Sequence, residues 1–298
     1  MVRAPRLPRI GETLAGETWW WKPGGKGANQ AMAAARHGAA VEMVGCLGSD
    51  ELGARLRDRL AAAGVGHEHV RTVSPGSGMS VAIEQADGDY AAVIVSGANR
   101  ELDERRIRES AGAIRAGQVL LLQNEVAEAS DVAAARVAAA AGVMVIHNAA
   151  PARPMADLAG LVDVLVVNAV EAEMLGADRV ADLATAIAAA RSLRSLAPVV
   201  VVTAGAAGVA AAFDSQTLAI ESYPVSRPVA HGAGDVFVGA LAVRLAHADR
   251  LADALGYANA AAALHVSTAE ADRGALRPAD VWRLLQGQHD GNVGLDSG

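Results

Sequence analysis

The sequence predicts an α/β protein in which a mostly parallel sheet is covered by helices on both faces, a three-layer α/β/α core. Between residues 105 and 203, short apolar runs alternate with longer, often alanine-rich runs of helical character, which is typical of repeated βα units. The 298 residues are 52% hydrophobic, which suits one large domain or one domain with a small appendage. A hairpin signal near residue 88 indicates that this appendage is made of β-strands.

The first hundred residues contain the predicted β unit and the first part of the core. Residues 79–85 and 90–96 have strand character and flank Asp87-Gly88-Asp89, a strong hairpin turn. Because such a hairpin does not belong in a parallel sheet, we assign it, together with residues 14–21, to a small β lid. Three consecutive tryptophans, Trp19 to Trp21, would pack this lid or face a ligand. The other elements predicted here are helix 28–37, strand 41–47, helix 50–63 and strand 70–73.

The middle of the chain has a regular order of strands and helices. The predicted elements are helix 105–115, strand 118–123, helix 127–141, strands 143–147 and 162–167, a helix from 169, helix 181–196 and strand 199–203. Ligands of such sheets bind beyond the carboxyl ends of the strands. Polar residues follow four successive strands there, namely Gln123-Asn124-Glu125, His147-Asn148, Asn168 with Glu171, and Thr203-Ala204-Gly205. Their repetition indicates a binding site, and the acidic members suit a metal held through phosphates and water.

Composition excludes several classes of protein. The net charge is −7, and no basic cluster with interleaved aromatics is present, so a nucleic-acid partner is not expected. No signal-peptide pattern or long apolar span occurs, so we expect a cytoplasmic protein without membrane partners. The single cysteine, Cys46, is expected to be a buried small hydrophobe. His67 and His69 have no third ligand nearby and are expected to face solvent rather than bind a metal.

The stretch from His231 to Ala240 predicts a site for an anion and a carboxylate. Gly232 and Gly234 allow a turn that directs backbone N–H groups to one point, at the start of a helix that begins near Asp235. Asp235 is either a cap for that helix or a catalytic base. His231 is a second candidate base, although it fits better as a residue that shapes the loop. Gly239 comes too late for the third glycine of a dinucleotide fingerprint.

A second glycine turn opens the predicted helix at 28–37. It reads Gly24-Gly25-Lys26-Gly27-Ala28-Asn29-Gln30 and lacks the spacing of a P-loop. Only Lys22 and Lys26 are lysines among 26 basic residues, so a lysine between glycines indicates a polar pocket that a planar guanidinium would not fit. The alternative is a solvated lysine in a turn.

These motifs together resemble the ribokinase branch of the PfkB carbohydrate kinases. The glycine-lysine run from Gly24 to Ala31, the run from Asn148 to Ala152, the pair Asn168 and Glu171, and the turn from Gly232 to Asp235 occur in that family's order and spacing. The resemblance covers about residues 10–285, nearly the whole chain. It implies a ribokinase-like fold and transfer of the γ-phosphoryl group of ATP to a primary hydroxyl of a sugar.

The resemblance also implies roles for individual residues. Asp235 would be the base, with Gly232, Ala233 and Gly234 forming the anion hole. The sugar would be held by Gly25, Lys26, Gly27, Ala28, Asn29 and Glu125. Asn168 and Glu171 would position phosphates and Mg²⁺, with Glu171 reaching the metal through water, while Thr203, Gly205 and Gly208 would line the nucleotide site and Asn259 would lie near the adenine. The lid, about 11–22 and 78–97, would be inserted in a single domain spanning 1–298 and would form the contact of a homodimer.

Two departures from the family pattern affect these expectations. Family members begin with a strand that carries an asparagine and a sugar-binding aspartate, and residues 1–8 contain neither. We therefore expect either a truncated chain or a sugar site without that carboxylate, and a gap in the core sheet. The Asp-Thr pair that precedes the anion hole in relatives is Val229-Ala230 here, so activation by potassium or another monovalent cation is not expected.

The primary hypothesis is a kinase for ribose or a similar pentose. A nucleoside or hexose kinase of the same family is the alternative within this fold. A catalytically weak protein that binds sugar or nucleotide is the alternative from another functional class, because the first strand is missing and the cation site is altered.

Overall fold

The computed structural model describes residues 1–85, 90–225 and 232–291. The predicted turn at Asp87-Gly88-Asp89, together with Val229, Ala230 and His231, lies outside the described residues. The strands are β1 (Val2–Arg3), β2 (Thr18–Trp19), β3 (Glu42–Gly48), β4 (Gly66–Val73), β5 (Met79–Glu84), β6 (Tyr90–Val95), β7 (Val119–Gln123), β8 (Met144–Asn148), β9 (Val164–Asn168), β10 (Val199–Thr203), β11 (Gly208–Phe213) and β12 (Gln216–Glu221). The α-helices are α1 (Lys26–Arg36), α2 (Glu51–Ala62), α3 (Glu104–Glu109), α4 (Ala111–Ala116), α5 (Glu128–Ala140), α6 (Ala169–Met174), α7 (Leu183–Ser192), α8 (Ala233–Ala246), α9 (Leu251–Ser267) and α10 (Pro278–Gly291).

The largest sheet has six strands in the order β12-β11-β10-β9-β8-β7. Strands β7 to β10 are parallel to one another, so their carboxyl ends lie at one edge as predicted. Strands β11 and β12 add an antiparallel hairpin beyond β10. The sheet is therefore mixed with a parallel majority, which confirms the predicted fold class.

Helices cover both faces of this sheet. Side chains that alternate along β9 point to opposite faces: Leu165 and Val167 pack in a cluster with α5 and α7, while Val164 and Val166 pack in a cluster with α8 and α9. This period of two is what a strand buried on both sides requires, and it explains the nearly uninterrupted valine and leucine of β7 to β10. The result is the predicted three-layer core.

Two strands of the core are separated from the six-stranded sheet. Among the described residues β3 pairs only with β4, and β7 pairs only with β8. Helix α1 packs against both β3 and β7. Both strands line one cleft of about 2500 Å³, which also reaches the candidate site. The β3–β4 pair and the six-stranded sheet are therefore separate sheets that border the same cleft.

The lid is a four-stranded sheet in the order β2-β1-β5-β6. Strands β5 and β6 form the predicted hairpin. The prediction missed β1, in which Val2 and Arg3 pair with Trp19 and Thr18 on one side and with β5 on the other. Trp20 and Trp21 pack under Arg3 and Arg55, whose guanidinium carbons lie 5.5 and 5.4 Å from the ring centroids.

Several predicted boundaries were wrong. Helix 105–115 is two helices, α3 and α4, that meet at Ser110, and helix 181–196 is the shorter α7 followed by a single 3₁₀ turn. Strand 70–73 begins at Gly66, so His67 and His69 belong to β4. Nδ1 of His67 lies 3.0 Å from the carbonyl oxygen of Val65. None of the described helices has the length and apolar character that a membrane span requires.

Candidate active site

The helix α8 begins at the predicted glycine turn. Gly232 is its N-cap residue, with φ of 85° in the left-handed region that favours glycine. A Cβ at Gly232 would also lie 3.2 Å from Nε2 of His265. Ala233, Gly234 and Asp235 form the first helical turn, where backbone N–H groups have no partner within the helix. These groups line the cleft with the partial positive charge of a fourteen-residue helix.

Among the residues that the structure describes, no backbone N–H of the first turn of α8 donates to the carboxylate of Asp235. Instead, Nδ2 of Asn29 donates to Oδ2 of Asp235 at 2.9 Å. Nε2 of Gln30 donates to Oδ1 at 3.1 Å. Both oxygens are therefore held by amides of another helix, and the carboxylate stays in the cleft.

Close packing of α1 against α8 makes these contacts possible. A Cβ at Gly239 would lie 2.7 Å from both Cβ of Ala33 and the carbonyl oxygen of Gln30. A glycine is therefore needed at position 239 because two helices touch there, and not because it belongs to a dinucleotide-binding motif. The start of α1 is equally constrained, because Gly25 has a φ of 96° and a Cβ at Gly27 would lie 3.0 Å from Oε1 of Gln123.

Glu125 meets the same glycine turn from the end of β7. The backbone N–H of Lys26 donates to Oε2 of Glu125 at 2.7 Å. Burial raises the pKa of Glu125, and the charge of Asp235 adds to the rise, while the N–H bond and ammonium of Lys26 oppose it. A raised pKa means that neutralising this buried carboxylate costs less than for an exposed glutamate.

Asn168 and Glu171 form a capping box at α6. The N–H of Glu171 donates to Oδ1 of Asn168 at 2.8 Å, and the N–H of Asn168 donates to Oε2 of Glu171 at 2.9 Å. Burial raises the pKa of Glu171, with Lys26 opposing and Asp235 adding to the rise. Lys26 is thus the shared cation of Glu125 and Glu171.

The donor set fits a hard cation only in part. Among the residues that the structure describes, no three His, Cys, Asp or Glu side chains are grouped to hold a metal. The carboxylate of Glu171 already accepts one backbone bond. One free carboxylate oxygen suits Mg²⁺ that keeps its waters and binds substrate phosphates, and it does not suit an all-protein cage.

Most predicted site residues line one cleft. They are Gly25, Lys26, Gly27, Ala28, Asn29, Glu125, Asn168, Glu171, Thr203, Gly232, Gly234 and Asp235. Two other predicted residues have structural functions. A Cβ at Gly208 would lie 2.1 Å from the carbonyl oxygen of Ile220, and the buried Asn259 donates from Nδ2 to the carbonyl oxygen of Glu221 at 2.8 Å.

Sequence reasoning missed the function of Gln30. It lies within the glycine-lysine motif, but it was given no role there. Gln30 is fully buried and contacts Asp235 and Asn148. The signal was a glutamine directly before the apolar run from Ala31 to Ala35, because an amide that is buried with such a run must find partners.

Comparison with known proteins agrees with this geometry. The model of the pfkB family of carbohydrate kinases matches residues 3–276. A ribokinase from Haemophilus influenzae is 34% identical over 270 residues, which are 90% of this chain and 88% of that protein. A ribokinase from Bacillus subtilis is 33% identical over 286 residues, which are 96% of this chain and 95% of that protein.

Solved structures are similar over the same extent. The Arabidopsis thaliana ribokinase complexed with ribose and ATP has a TM-score of 0.85 and 29% identity, with 95% of this chain and 94% of that chain covered. The ribokinase of Cryptococcus neoformans in complex with ADP has a TM-score of 0.82 and 28% identity, with the same coverage of 95% and 94%. The family match spans nearly the whole described core and the cleft, and the chain therefore belongs to the pfkB family of carbohydrate kinases.

Proposed function

We propose that the chain transfers the γ-phosphoryl group of ATP to a primary hydroxyl of ribose or a similar pentose. The observation that carries this proposal is the carboxylate of Asp235, which lies in the first turn of α8 and is held by Asn29 and Gln30 of α1. The names of the relatives support the substrate, and the Arabidopsis complex with ribose and ATP supports the pair of ligands. We expect the protein to act in the cytoplasm.

The proposed reaction needs a base and an anion hole. A bond forms between the sugar oxygen and the γ-phosphorus, while the bond from that phosphorus to the bridging oxygen of ADP breaks. The hydroxyl proton passes to Asp235, and the N–H groups of Gly232 to Asp235 stabilise charge on the transferred group. A carboxylate is a weak base in water, but it accepts the proton late, when the new bond has acidified the hydroxyl.

The sugar is held on the side of α1. Glu125 and Asn29 offer an acceptor and a donor to sugar hydroxyls, and Lys26 supplies a compact charge between two glycines. The backbone of Gly25 to Ala28 lies open to the cleft at this point. This set suits a small polyhydroxylated ligand better than an extended one.

The nucleotide is expected on the side of α6 and β10. Thr203 and Asn168 line the cleft there, and Gly205, two residues after Thr203, has a φ of 57°. Gly208 and Asn259 would act indirectly, by shaping β11 and α9. Bound Mg²⁺ would neutralise phosphate charge, with Glu171 as its nearest carboxylate through water.

The test of this proposal is ATP turnover with a panel of sugars. ADP release that depends on ribose is expected from the folded protein. Greater turnover with a nucleoside or a hexose would assign the alternative acceptor. Calorimetric binding of sugar and ATP without any sugar-dependent ADP release would identify a binding protein and end the kinase proposal.

Replacing Glu125 with glutamine is expected to raise the KM for ribose by roughly ten- to a hundredfold, the usual range for a hydrogen bond to a charged group. Because burial raises the pKa of Glu125, wild-type sugar affinity should fall as the pH drops through that raised pKa, and the variant should lose this dependence. Steady-state kinetics across pH 5 to 8 measure both effects. Glu128→Gln, on a half-buried glutamate three residues away that does not line the cleft, is the control, and an unchanged KM in Glu125→Gln would contradict the assignment.

The lid sheet exposes a broad apolar surface that fits a homodimer. Val81, Val93 and Val95 are 48%, 68% and 51% exposed on one face of β5 and β6, where Val81 pairs with Val93, and Trp19 on β2 is 76% exposed. Apolar surface concentrated on a small sheet is characteristic of an interface with another chain. We propose that two copies of a single kinase domain join through this lid.

Replacing Val93 with aspartate is expected to convert the dimer to a monomer, because a charge at the centre of an apolar interface must be desolvated. Light scattering after size exclusion measures the mass. Met174→Asp is a matched control, since Met174 on α6 is 66% exposed. A wild-type monomer, or a Val93→Asp dimer, would rule out this interface.

A further inference from the structure

A network of side-chain amides, centred on the buried Gln30, connects the candidate base to the central sheet. Gln30 is fully buried, and its Nε2 donates to Oδ1 of Asp235 at 3.1 Å and to Oδ1 of Asn148 at 3.0 Å. Its Oε1 accepts from Nε2 of Gln123 at 2.7 Å. Gln123 ends β7 and Asn148 ends β8. The carboxylate on α8 is therefore tied to two adjacent strands through one side chain.

Within this network, the donor and acceptor of each hydrogen bond follow from the other hydrogen bonds that the same amide makes. Nδ2 of Asn148 donates to the carbonyl oxygen of Val166 at 3.1 Å, which leaves Oδ1 of Asn148 as the acceptor for Gln30. Gln123 donates to Oε1 of Gln30, so the NH₂ group of Gln30 must face Asn148 and Asp235. Gln30 thus presents both of its N–H donors to two acceptors, and one of them is Asp235.

Gln30 and Asn29 hold Asp235 from different positions. Asn29 is half-buried and lines the cleft, where the proposed function assigns it to the sugar. Gln30 has no exposed surface, so it cannot be a ligand contact. When Asn29 turns toward a bound hydroxyl, Gln30 remains as the donor that fixes the carboxylate.

We propose that Gln30 is the positioning residue of Asp235, and that Gln123 sets its orientation. This inference rests on the proposed kinase function. A donor to one carboxylate oxygen fixes the orientation of the carboxylate and aims it at the acceptor hydroxyl. Gln30 therefore acts on the base and not on either substrate.

The test is kinetics of Gln30→Leu and Gln30→Glu with ATP and the sugar that the wild type uses. Gln30→Leu should lower kcat about tenfold with little change in the sugar KM, because the interaction matters after binding. The acid limb of its kcat–pH profile should move upward by roughly half a unit, because the carboxylate loses a donor. Gln30→Glu places a second carboxylate beside Asp235 and should move that limb upward by about one unit or more.

These measurements distinguish a failure of the kinase proposal from a failure of the positioning role of Gln30. A wild type without sugar-dependent turnover defeats the kinase function itself. An active wild type whose Gln30→Leu variant keeps kcat and the acid limb, or loses only sugar affinity, overturns the positioning role. If Gln30→Leu does not fold, Gln30→Glu decides through its acid limb, and an unmoved limb counts against the proposal. Gln123→Leu should move the acid limb of the kcat–pH profile in the same direction as Gln30→Leu, but by a smaller amount. Gln216→Leu, on an exposed glutamine of β12, should change neither kcat nor the acid limb.

Discussion

Replacing Asp235 with asparagine is expected to lower kcat by roughly a hundred- to ten-thousandfold, the range over which a positioned acid or base contributes. Asparagine has the same shape, and its Oδ1 can still accept from Asn29 or Gln30. The start of α8 should therefore stay intact, because the described hydrogen bonds of the Asp235 carboxylate come from α1. What is lost is the oxygen that takes the hydroxyl proton.

Binding and turnover separate this expectation from a structural effect. Calorimetric affinity for ribose should change little in Asp235→Asn, since the groups proposed to bind the sugar lie on α1 and at Glu125. Asp214→Asn is the matched control, because Asp214 occupies the β11–β12 turn with a φ of 49° that asparagine also tolerates. If Asp235→Asn keeps most of the wild-type kcat, Asp235 is not the base. If Asp235→Asn lowers the unfolding temperature as much as the loss of a helix cap does, Asp235 is a cap of α8.

The sequence predicted the layers of this fold because the pattern was local. Alternating βα units and polar strand ends can be recognised from neighbouring residues, and both were recovered at β7 to β10. The antiparallel β11 was not predicted, since Gly208–Phe213 contains three consecutive alanines, which favour helix over strand. Burial between β10 and β12 makes it a strand, and a tertiary effect of that kind is not visible in a short window.

The role of Asp235 could not be decided from its own stretch for a similar reason. A cap and a base require the same residue in the same helical turn. The distinction comes from Asn29, which is 206 positions away in sequence and 2.9 Å away in space. Only the packing of α1 against α8 at Gly239 brings that amide within reach.

Replacing Arg153 with methionine is expected to destabilise the fold by roughly 3–5 kcal/mol at neutral pH, the cost of removing one partner of a buried ion pair. Nη2 of Arg153 lies 2.5 Å from Oδ2 of Asp131, whose residue is only 3% exposed. Nη1 donates to the carbonyl oxygen of Val126 at 2.9 Å, next to Glu125. The variant should therefore also loosen the sugar-binding loop.

The loss of stability in Arg153→Met should depend on pH, and its sign follows from Asp131. Burial raises the pKa of Asp131 to about 7, against the opposing charge of Arg153. Because the folded state then holds the proton more tightly than the unfolded state, this group's contribution to stability falls as the pH rises from about 4 toward that pKa. Without Arg153 the pKa of Asp131 in the folded state rises further, so the loss of stability with increasing pH continues to higher pH. The deficit of Arg153→Met should be smallest near pH 4 and grow toward pH 8.

Urea unfolding of both proteins at several pH values measures this deficit. Adding Asp131→Asn to Arg153→Met should recover much of the lost stability and remove its pH dependence, because the uncompensated carboxylate is gone. Arg136→Met, on an exposed arginine of the same helix α5, should leave stability within about 0.5 kcal/mol. A deficit that stays constant from pH 4 to 8 would mean that lost packing, and not the buried charge of Asp131, accounts for the effect of Arg153.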